Sequence, residues 1–276
     1  MIASKYVLDT TDPVRMLTDQ LLDRGQPVLA MGPTGCGKTE HFKHWAASRG
    51  RAFYQVQGHP TLTFDELVGE DRLNADGAGA RFRYGVLAKA MKFGGMVCID
   101  EAPACEPGTL VALNEIANGG NLTISNGEDA IEVIERHPDF VLALTGNPWQ
   151  EYVGNNQFSP ALVDRFFVRN WTYLKPATET KILLNNFPSL DKTTASNLVG
   201  LANEIRKQRH DRRGAKYVMT TRGLIQTSYL IADLGMDAGT AIAEVVIPAA
   251  LMQSRDEAEA IMKMAALRGF KLPALP

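Results

Sequence analysis

The chain has few cysteines and no long hydrophobic run. Only Cys36, Cys98 and Cys105 occur among its 276 residues. An odd number of cysteines without framework spacing argues against a disulfide-stabilised scaffold and favours a reducing compartment. No apolar stretch approaches the roughly 20 residues that cross a bilayer, and the opening stretch MIASKYVLDT does not look like a signal peptide. We therefore expect a cytoplasmic protein without a membrane segment.

The chain also lacks a large excess of charge of either sign. Its formal net charge is -2 at pH 7, with 22% charged residues. This balance gives no overall attraction to nucleic acid or to an anionic membrane. The histidines show no ligand spacing with the cysteines, so no zinc site is expected. Hydrophobic residues make up 45% of the chain, which is typical of a globular protein with a sizeable core.

Strand and helix patterns alternate along the first part of the chain. Short apolar runs predict strands in PVLAM, AFYQVQ, GGMVCIDE and FVLALTGNP, and helical patterns adjoin the first two. This alternation predicts a parallel sheet with helices on its faces. Glycine turns inside residues 72–84 and 121–135 predict two β-hairpins that interrupt the pattern.

Helical patterns alone occupy the remainder of the chain. They cover residues 177–186, 191–209, 220–235, 237–252 and 254–268. We therefore predict two domains: an α/β core at residues 1–173 and a small all-helical domain at residues 174–276.

The stretch GPTGCGKTE matches the pattern of a phosphate-binding loop. It follows a predicted strand and opens a predicted helix, so its backbone N–H groups and the helix N-terminus would face phosphate oxygens. Lys38 would reach the β and γ phosphates, and Thr39 would offer its hydroxyl to Mg²⁺. A flexible glycine turn is the alternative. The residues predicted to bind nucleotide are Gly32, Pro33, Thr34, Gly35, Cys36, Gly37, Lys38, Thr39 and Glu40.

Polar residues end two of the other predicted strands. MVCIDE ends in Asp100 and Glu101, and LALTGNP carries Asn147 near its end. Ligand sites of parallel sheets lie at the carboxyl ends of strands. We expect Asp100 to hold Mg²⁺, Glu101 to polarise the attacking water and Asn147 to orient that water. The alternatives are a solvated strand end for the acids and an Asn-Pro turn for Asn147.

Two arginines complete the set of candidate catalytic residues. SPALVDRF reads as a helix with Ser159 at its N-cap and Arg165 near its end, and TTRGLI opens another helix with Arg222 in its first turn. Arginine stabilises charge on a transferring phosphoryl group. A cation at a helix N-terminus is unfavourable unless an anion such as phosphate is nearby. The alternatives are an Asp164–Arg165 surface pair or a solvated helix end for Arg165, and a solvated surface arginine for Arg222.

Taken in order, these stretches resemble the AAA+ ATPases. GPTGCGKT, MVCIDE, LTGNP, ALVDRF and TTRGL follow the order and approximate spacing of Walker A, Walker B, sensor one, arginine finger and sensor two in that family. The two hairpins resemble those of the helix-two-insert clade. FDELVGED, GVLAKAM and CIDEAP look like the MoxR group, which includes CbbQ, NorQ and the CobS-type chelatase subunits.

The resemblance implies a function beyond nucleotide binding. It implies hydrolysis of ATP with Mg²⁺ in a homo-oligomeric, hexameric ring, and a chaperone-like use of that energy to remodel or activate a partner with a von Willebrand factor A domain. It also implies that Arg165 acts on the neighbouring subunit. Whether Arg222 acts within its own subunit or on a neighbour stays open.

Three other functions remain as alternatives. The chain could be the motor subunit of a cobalt or magnesium chelatase, a nucleic-acid-dependent motor, or a nucleotide-binding scaffold without turnover. The overall negative charge weighs against nucleic acid, and the basic run at residues 205–216 lacks interleaved aromatics for base stacking. Glu101 and Arg165 weigh against a scaffold. Phe82 and Tyr84 in the first hairpin are either pore-facing or packed.

Overall fold

The computed structural model of the chain describes residues 9, 11–73, 80–125, 131–147, 158–211 and 216–274, with the side chains of residues 73, 80, 81, 210 and 211 left out. The chain divides into two compact units. We call Thr10–Pro33 with Lys38–Thr172 the sheet unit. The helical unit consists of Met1–Asp9, Thr34–Gly37 and Tyr173–Pro276, so it includes a short segment from the loop between the first strand and the second helix.

The strands all belong to the sheet unit. They are β1 (Val28–Met31), β2 (Phe53–Gln57), β3 (Gly69–Leu73), β4 (Ala80–Tyr84), β5 (Gly95–Asp100), β6 (Leu122–Ser125), β7 (Ile131–Ile134), β8 (Phe140–Gly146) and β9 (Phe167–Asn170). Five of them form a sheet in the order β2-β5-β8-β1-β9, and every pair in it is parallel. The predicted parallel sheet is confirmed.

The register of this sheet brings the ends of β1, β2, β5 and β8 to one edge. Met31 lies beside Gly146, Ile99 lies beside Leu144, and Gln57 lies beside Asp100. The residues that follow β1, β5 and β8 therefore emerge together at the carboxyl edge of the sheet, where ligands of open α/β sheets bind.

The other four strands form two antiparallel hairpins. β3 pairs with β4 so that Asp71 lies opposite Phe82, and β6 pairs with β7 so that Thr123 lies opposite Val133. Both strand pairs were predicted from sequence. The glycine turns that suggested them, at residues 76–79 and 126–127, lie outside the described residues.

Helices cover the sheet and supply its core. They are α1 (Pro13–Asp23), α2 (Lys38–Ser48), α3 (Phe64–Val68), α4 (Val86–Phe93), α5 (Pro107–Ala117) and α6 (Pro160–Val163), with a 3₁₀ turn at Ala102–Ala104. Local sequence fixes several starts: Asp12 caps α1, and Thr63 with Glu66 forms a capping box at α3. Buried residues of β1, β5 and β8, including Leu29, Ile99 and Leu144, lie in one hydrophobic core with those of α4 and α5.

The helical unit has a core of its own. The helices of this unit are α7 (Pro176–Asn186), α8 (Lys192–Asp211), α9 (Thr221–Ala232), α10 (Ala238–Leu251) and α11 (Arg255–Leu267). Buried residues from each of these helices, such as Leu198, Leu224, Ile242 and Ile261, pack in a single cluster. No strand occurs among the described residues of this unit, as the helical patterns predicted. Nowhere in the described ranges is a helix both long and apolar enough to span a bilayer.

Two features differ from the sequence prediction. β9 was not predicted, although it pairs with β1 and forms an edge of the sheet. The helix predicted over residues 159–166 ends at Val163, so Arg165 lies beyond α6 rather than within it. Ser159 nevertheless caps this helix as predicted, because its hydroxyl accepts a hydrogen bond from the Leu162 N–H at 3.2 Å.

Candidate active site

The loop from Gly32 to Thr39 joins β1 to α2 and has the backbone of a phosphate cradle. Gly35 and Gly37 have φ values of 69° and 91°, a region that side-chain-bearing residues rarely adopt. α2 begins at Lys38, directly after the glycines, so its N-terminal N–H groups open towards the loop. Such a loop followed by a helix N-terminus is suited to bind phosphate.

The other residues of this stretch differ in exposure. Cys36 is buried, whereas Pro33, Thr34 and Gly37 are half-buried. Glu40 is exposed in the first turn of α2, where a negative charge is favourable next to the helix N-terminus. The loop thus leaves backbone groups partly accessible to a ligand.

Lys38 carries the main positive charge of the site. Its ammonium donates hydrogen bonds to the Gly32 carbonyl at 2.8 Å, the Pro33 carbonyl at 3.0 Å and Asn147 Oδ1 at 3.0 Å. Lys38 and Asn147 are each 8% exposed. These three bonds hold the buried ammonium at the start of α2, directly after the glycines of the loop. The structure therefore brings Lys38 and Asn147 together.

A second cluster surrounds Asp100 at the end of β5. Asp100 Oδ1 accepts hydrogen bonds from the hydroxyls of Thr39, at 2.9 Å, and Thr145, and Oδ2 accepts one from Gln55 at 3.3 Å. A threonine hydroxyl and a carboxylate are hard oxygen donors of the kind that Mg²⁺ prefers. The residues present therefore fit the ion.

Glu101 follows Asp100 in an unusual backbone conformation. Its φ is 54°, the left-handed region, and it is the one side-chain-bearing residue with positive φ in the described ranges. Such strain of about 1–3 kcal/mol persists where surrounding structure enforces it, often at functional sites. Here the Glu101 N–H donates to the Thr145 hydroxyl at 3.1 Å. The exposed carboxylate accepts a hydrogen bond from Gln57 at 3.0 Å.

Sequence reasoning missed three residues of this cluster. Thr145 is fully buried in β8 and contacts both acids of the Walker B stretch. Gln55 and Gln57 lie on β2, next to β5, and reach one acid each. The signal was a polar residue inside an apolar strand and two glutamines spaced by two in another. Only the order of the strands in the sheet shows that these residues lie beside Asp100 and Glu101.

Arg165 lies in the sheet unit just after α6. Its guanidinium donates to the Ala161 carbonyl, and no ion pair with Asp164 occurs in the described structure. The Nε atom is buried and has no hydrogen-bond partner among the described residues. An Asp164–Arg165 pair is therefore absent from the described residues, whereas the role of Arg165 stays a prediction.

Arg222 lies in the helical unit in the first turn of α9. Thr220 caps this helix by accepting a hydrogen bond from the Gly223 N–H at 3.1 Å. The Arg222 side chain is exposed and makes no hydrogen bond or ion pair with any other described residue. It is free to meet an anion.

The buried cysteines are core residues. Burial and the nearby Asp100 charge raise the pKa of the Cys98 thiol well above its usual value, and burial raises the pKa of Cys105. Both thiols are therefore protonated at neutral pH and are poor nucleophiles.

Comparisons with known proteins identify the family. The family AAA domain (dynein-related subfamily) matches residues 27–166. The family CbbQ/NirQ/NorQ C-terminal matches residues 179–267. The chain belongs to the MoxR-like AAA+ ATPases. The resemblance read from the motifs is confirmed.

Individual relatives agree with this assignment. The AAA+ chain is 30% identical over 216 residues to the "Denitrification regulatory protein NirQ" of Stutzerimonas stutzeri, covering 78% of this chain and 75% of the relative. It is 28% identical over 250 residues to the "Gas vesicle ATPase GvpN2" of Halobacterium salinarum, covering 83% and 72%. A mutant of RuvB from Thermotoga maritima shares the fold, with a TM-score of 0.53, 14% identity, and coverage of 91% and 67%.

Membership of this family establishes the general activity of the chain. The AAA+ chain binds nucleotide and is an ATP hydrolase. AAA+ ATPases are generally oligomeric.

Proposed function

We propose that this AAA+ ATPase couples Mg-ATP hydrolysis in a hexameric ring to the remodelling or activation of a partner protein. The observation that carries the proposal is the meeting of Lys38, Asn147, Thr39, Asp100 and Glu101 at one sheet edge. These are the groups needed to hold phosphate, hold a divalent cation and direct water. We also propose that residues 1–173 form the α/β domain and residues 174–276 the helical domain.

Each residue of the sheet edge has a distinct proposed role. Lys38 and the loop N–H groups bind the β and γ phosphates, and Thr39 with Asp100 would hold Mg²⁺, which neutralises charge on the phosphates when bound. Glu101 polarises the water for in-line attack, and Asn147 orients it. Catalysis is then mostly positioning and charge stabilisation, with no covalent enzyme intermediate.

The two arginines are proposed to stabilise charge on the transferring phosphoryl group. The Arg165 guanidinium bonds the Ala161 carbonyl at an exposed position, which supports a contact with a group from another subunit. Arg222 is exposed at a helix N-terminus, where an anion relieves the unfavourable interaction with the helix dipole. Arg165 is assigned to the neighbour's nucleotide, and Arg222 to a nucleotide of either subunit.

The partner is proposed from the family. The matched C-terminal family is named for CbbQ, NirQ and NorQ, and one relative is named a regulatory protein. A regulatory name supports an ATPase that acts on another protein rather than on a small molecule. The MoxR resemblance supports a partner with a von Willebrand factor A domain, which we therefore propose.

Nucleotide-dependent capture tests this partner. Tagged Glu101→Gln protein is mixed, with ATP, with the product of a neighbouring gene that encodes a von Willebrand factor A domain. Capture with ATP, and its loss with Lys38→Ala, is expected because the complex should require the ATP-bound ring. A ring that ignores that protein, yet hydrolyses ATP faster with DNA in a salt-sensitive way, would overturn the proposal in favour of a nucleic-acid motor.

A further inference from the structure

A buried ion pair lies in the helical unit, outside the site described above. Glu179 of α7 is fully buried, and Arg206 of α8 is 9% exposed. Arg206 donates two hydrogen bonds to the carboxylate, Nη1 to Oε2 at 2.7 Å and Nη2 to Oε1 at 3.0 Å. Buried ion pairs are weak evidence for stability, because apolar residues of similar volume often serve as well. The pair therefore calls for a reason other than stability.

The same two side chains hold the start of α9. The Arg206 Nε–H donates to the Met219 carbonyl at 2.8 Å, just before the cap of α9. The Thr221 hydroxyl, on the first residue of the helix, donates to Glu179 Oε1 at 2.6 Å. Thr221 is 8% exposed. The pair thus bonds to the backbone of Met219, before the cap residue, and to the side chain of Thr221, after it. Arg222 is the next residue.

The pair is also connected to the tip of the phosphate loop. The Arg206 guanidinium lies over the Tyr173 ring, 3.8 Å from its centroid. The Tyr173 hydroxyl donates to the Thr34 carbonyl at 2.9 Å. Gly35, the next residue of the loop, lies so near Thr220 that a Cβ on Gly35 would be 2.7 Å from the Thr220 Cβ. Within the helical unit, the loop tip and the first turn of α9 are therefore held in one arrangement.

We propose that Glu179 and Arg206 are positioning residues for ATP hydrolysis, which fix the first turn of α9, and with it Arg222, against the tip of the phosphate loop. The inference rests on the proposed role of Arg222 at a phosphate. Arginine suits this task because its planar fork makes two fixed bonds to a carboxylate and stacks on an aromatic ring, whereas lysine offers one flexible point charge.

The test compares Arg206→Lys with a matched control, Arg268→Lys. Arg268 also pairs with a glutamate of α8, Glu204, at 3.1 Å, but it makes no described contact with α9. Single-turnover ATP hydrolysis, ATP affinity and thermal unfolding are measured for both full-length proteins. Arg206→Lys should hydrolyse ATP about 10- to 100-fold more slowly, since a misplaced group costs that much. Arg268→Lys should match the wild type.

A double-mutant cycle separates positioning from general damage. If Arg206 acts through Arg222, adding Arg206→Lys to Arg222→Ala should change the rate by less than about twofold. Independent, multiplicative losses would overturn the inference, and so would an Arg206→Lys rate equal to that of Arg268→Lys. An Arg222→Ala protein as fast as the wild type would overturn the role of Arg222 itself, which distinguishes failure of the proposed function.

A second pair of variants decides the matter if Arg206→Lys does not fold. Thr221→Val removes one hydroxyl from Glu179 at nearly constant shape. Thr227→Val makes the same change in the same helix, at a fully buried residue whose hydroxyl bonds the Gly223 carbonyl at 3.0 Å. Thr221→Val should slow hydrolysis relative to Thr227→Val. Equal rates would overturn the inference.

Discussion

At the scale of single residues, the hydroxyl of Thr145 links the two acids of the Walker B stretch. It donates to Asp100, and it accepts from the Glu101 N–H at 3.1 Å. One fully buried group therefore orients the proposed metal ligand and stabilises the strained backbone of the proposed water-activating residue. Such outer-shell groups commonly matter nearly as much as the ligands that they orient.

Removing this hydroxyl should disturb the positions of both Asp100 and Glu101. Thr145→Val keeps the shape but leaves the Glu101 N–H without its acceptor, which costs about 1–3 kcal/mol. We expect ATP hydrolysis to fall about 10- to 100-fold and to need more Mg²⁺. Rates measured across a magnesium titration check this.

The matched control for this change is Thr109→Val. Thr109 is 6% exposed in the same unit, and its hydroxyl donates to the Leu62 carbonyl at 2.7 Å. It should lose stability without losing the magnesium dependence of the wild type. If both variants behave alike in the titration, Thr145 has only a structural role.

At the scale of elements, the two hairpins are tied to α4 by one polar cluster. Lys92 donates to the Tyr84 hydroxyl at 2.7 Å and to Glu132 at 2.6 Å, and Tyr84 donates to Glu132 at 2.6 Å. The bonds from Lys92 and Tyr84 lower the pKa of Glu132, so the carboxylate is charged at neutral pH. Phe82 packs against Tyr84 and the core, which answers the question left open by the sequence: both aromatics are packed.

Shortening the first hairpin should separate hydrolysis from work on the partner. Joining Asp71 to Phe82 through an Asn-Gly turn removes residues 72–81 but keeps the two packed aromatics, since Asp71 and Phe82 face each other. ATP affinity should stay within about twofold of the wild type, because Arg72, the changed residue whose side chain is described, pairs with Glu70 and not with the phosphate loop. Activation of the partner should be lost.

Parallel assays of ATP binding, hydrolysis and partner activation measure this outcome. Shortening the loop between β6 and β7 instead provides a control for hairpin loss in general. A variant without residues 72–81 that still activates the partner fully would remove the first hairpin from the mechanism.

The sequence predicted most helices and strands, but it did not predict which of them lie next to one another. The Walker strands stood out because parallel strands buried on both faces are continuous apolar runs. β9 was missed because it is a four-residue edge strand, largely exposed and containing Arg169 and Asn170. The end of α6 was misplaced because SPALVDRF has good capping signals at its start but no stop signal. Contacts such as Gln57 to Glu101 depend on strand order, which no local pattern specifies.

At the scale of the whole molecule, the proposed ring makes each active site a shared one. Arg165 of one subunit would contact the nucleotide bound by the next subunit across a head-to-tail interface. An Arg165→Ala subunit then keeps an intact pocket but offers no finger, whereas a Glu101→Gln subunit offers a finger but has an inactive pocket. Each uniform ring should be nearly inactive, since an arginine finger contributes roughly a thousandfold or more to the rate.

Mixing the two inactive proteins should therefore restore activity. In equal mixtures about one interface in four pairs a working pocket with a working finger, by random placement in a head-to-tail ring. Phosphate release after co-expression measures the gain, and native mass spectrometry confirms mixed rings and counts their subunits. Confirmed mixed rings that stay inactive at every mixing ratio would show that Arg165 does not act in trans.

The assignment of the nucleotide site is tested most directly by measuring ATP binding and hydrolysis on the same samples of the wild type, Lys38→Ala and Glu101→Gln. Lys38→Ala should lose most ATP binding, because it removes the charge that faces the phosphates. Glu101→Gln should bind ATP like the wild type yet hydrolyse it about a hundredfold or more slowly, since a neutral amide cannot polarise water. The exposed Glu115→Gln serves as the control for the same change elsewhere. Equal loss of ATP binding in the Lys38 and Glu101 variants would contradict the roles assigned to both residues.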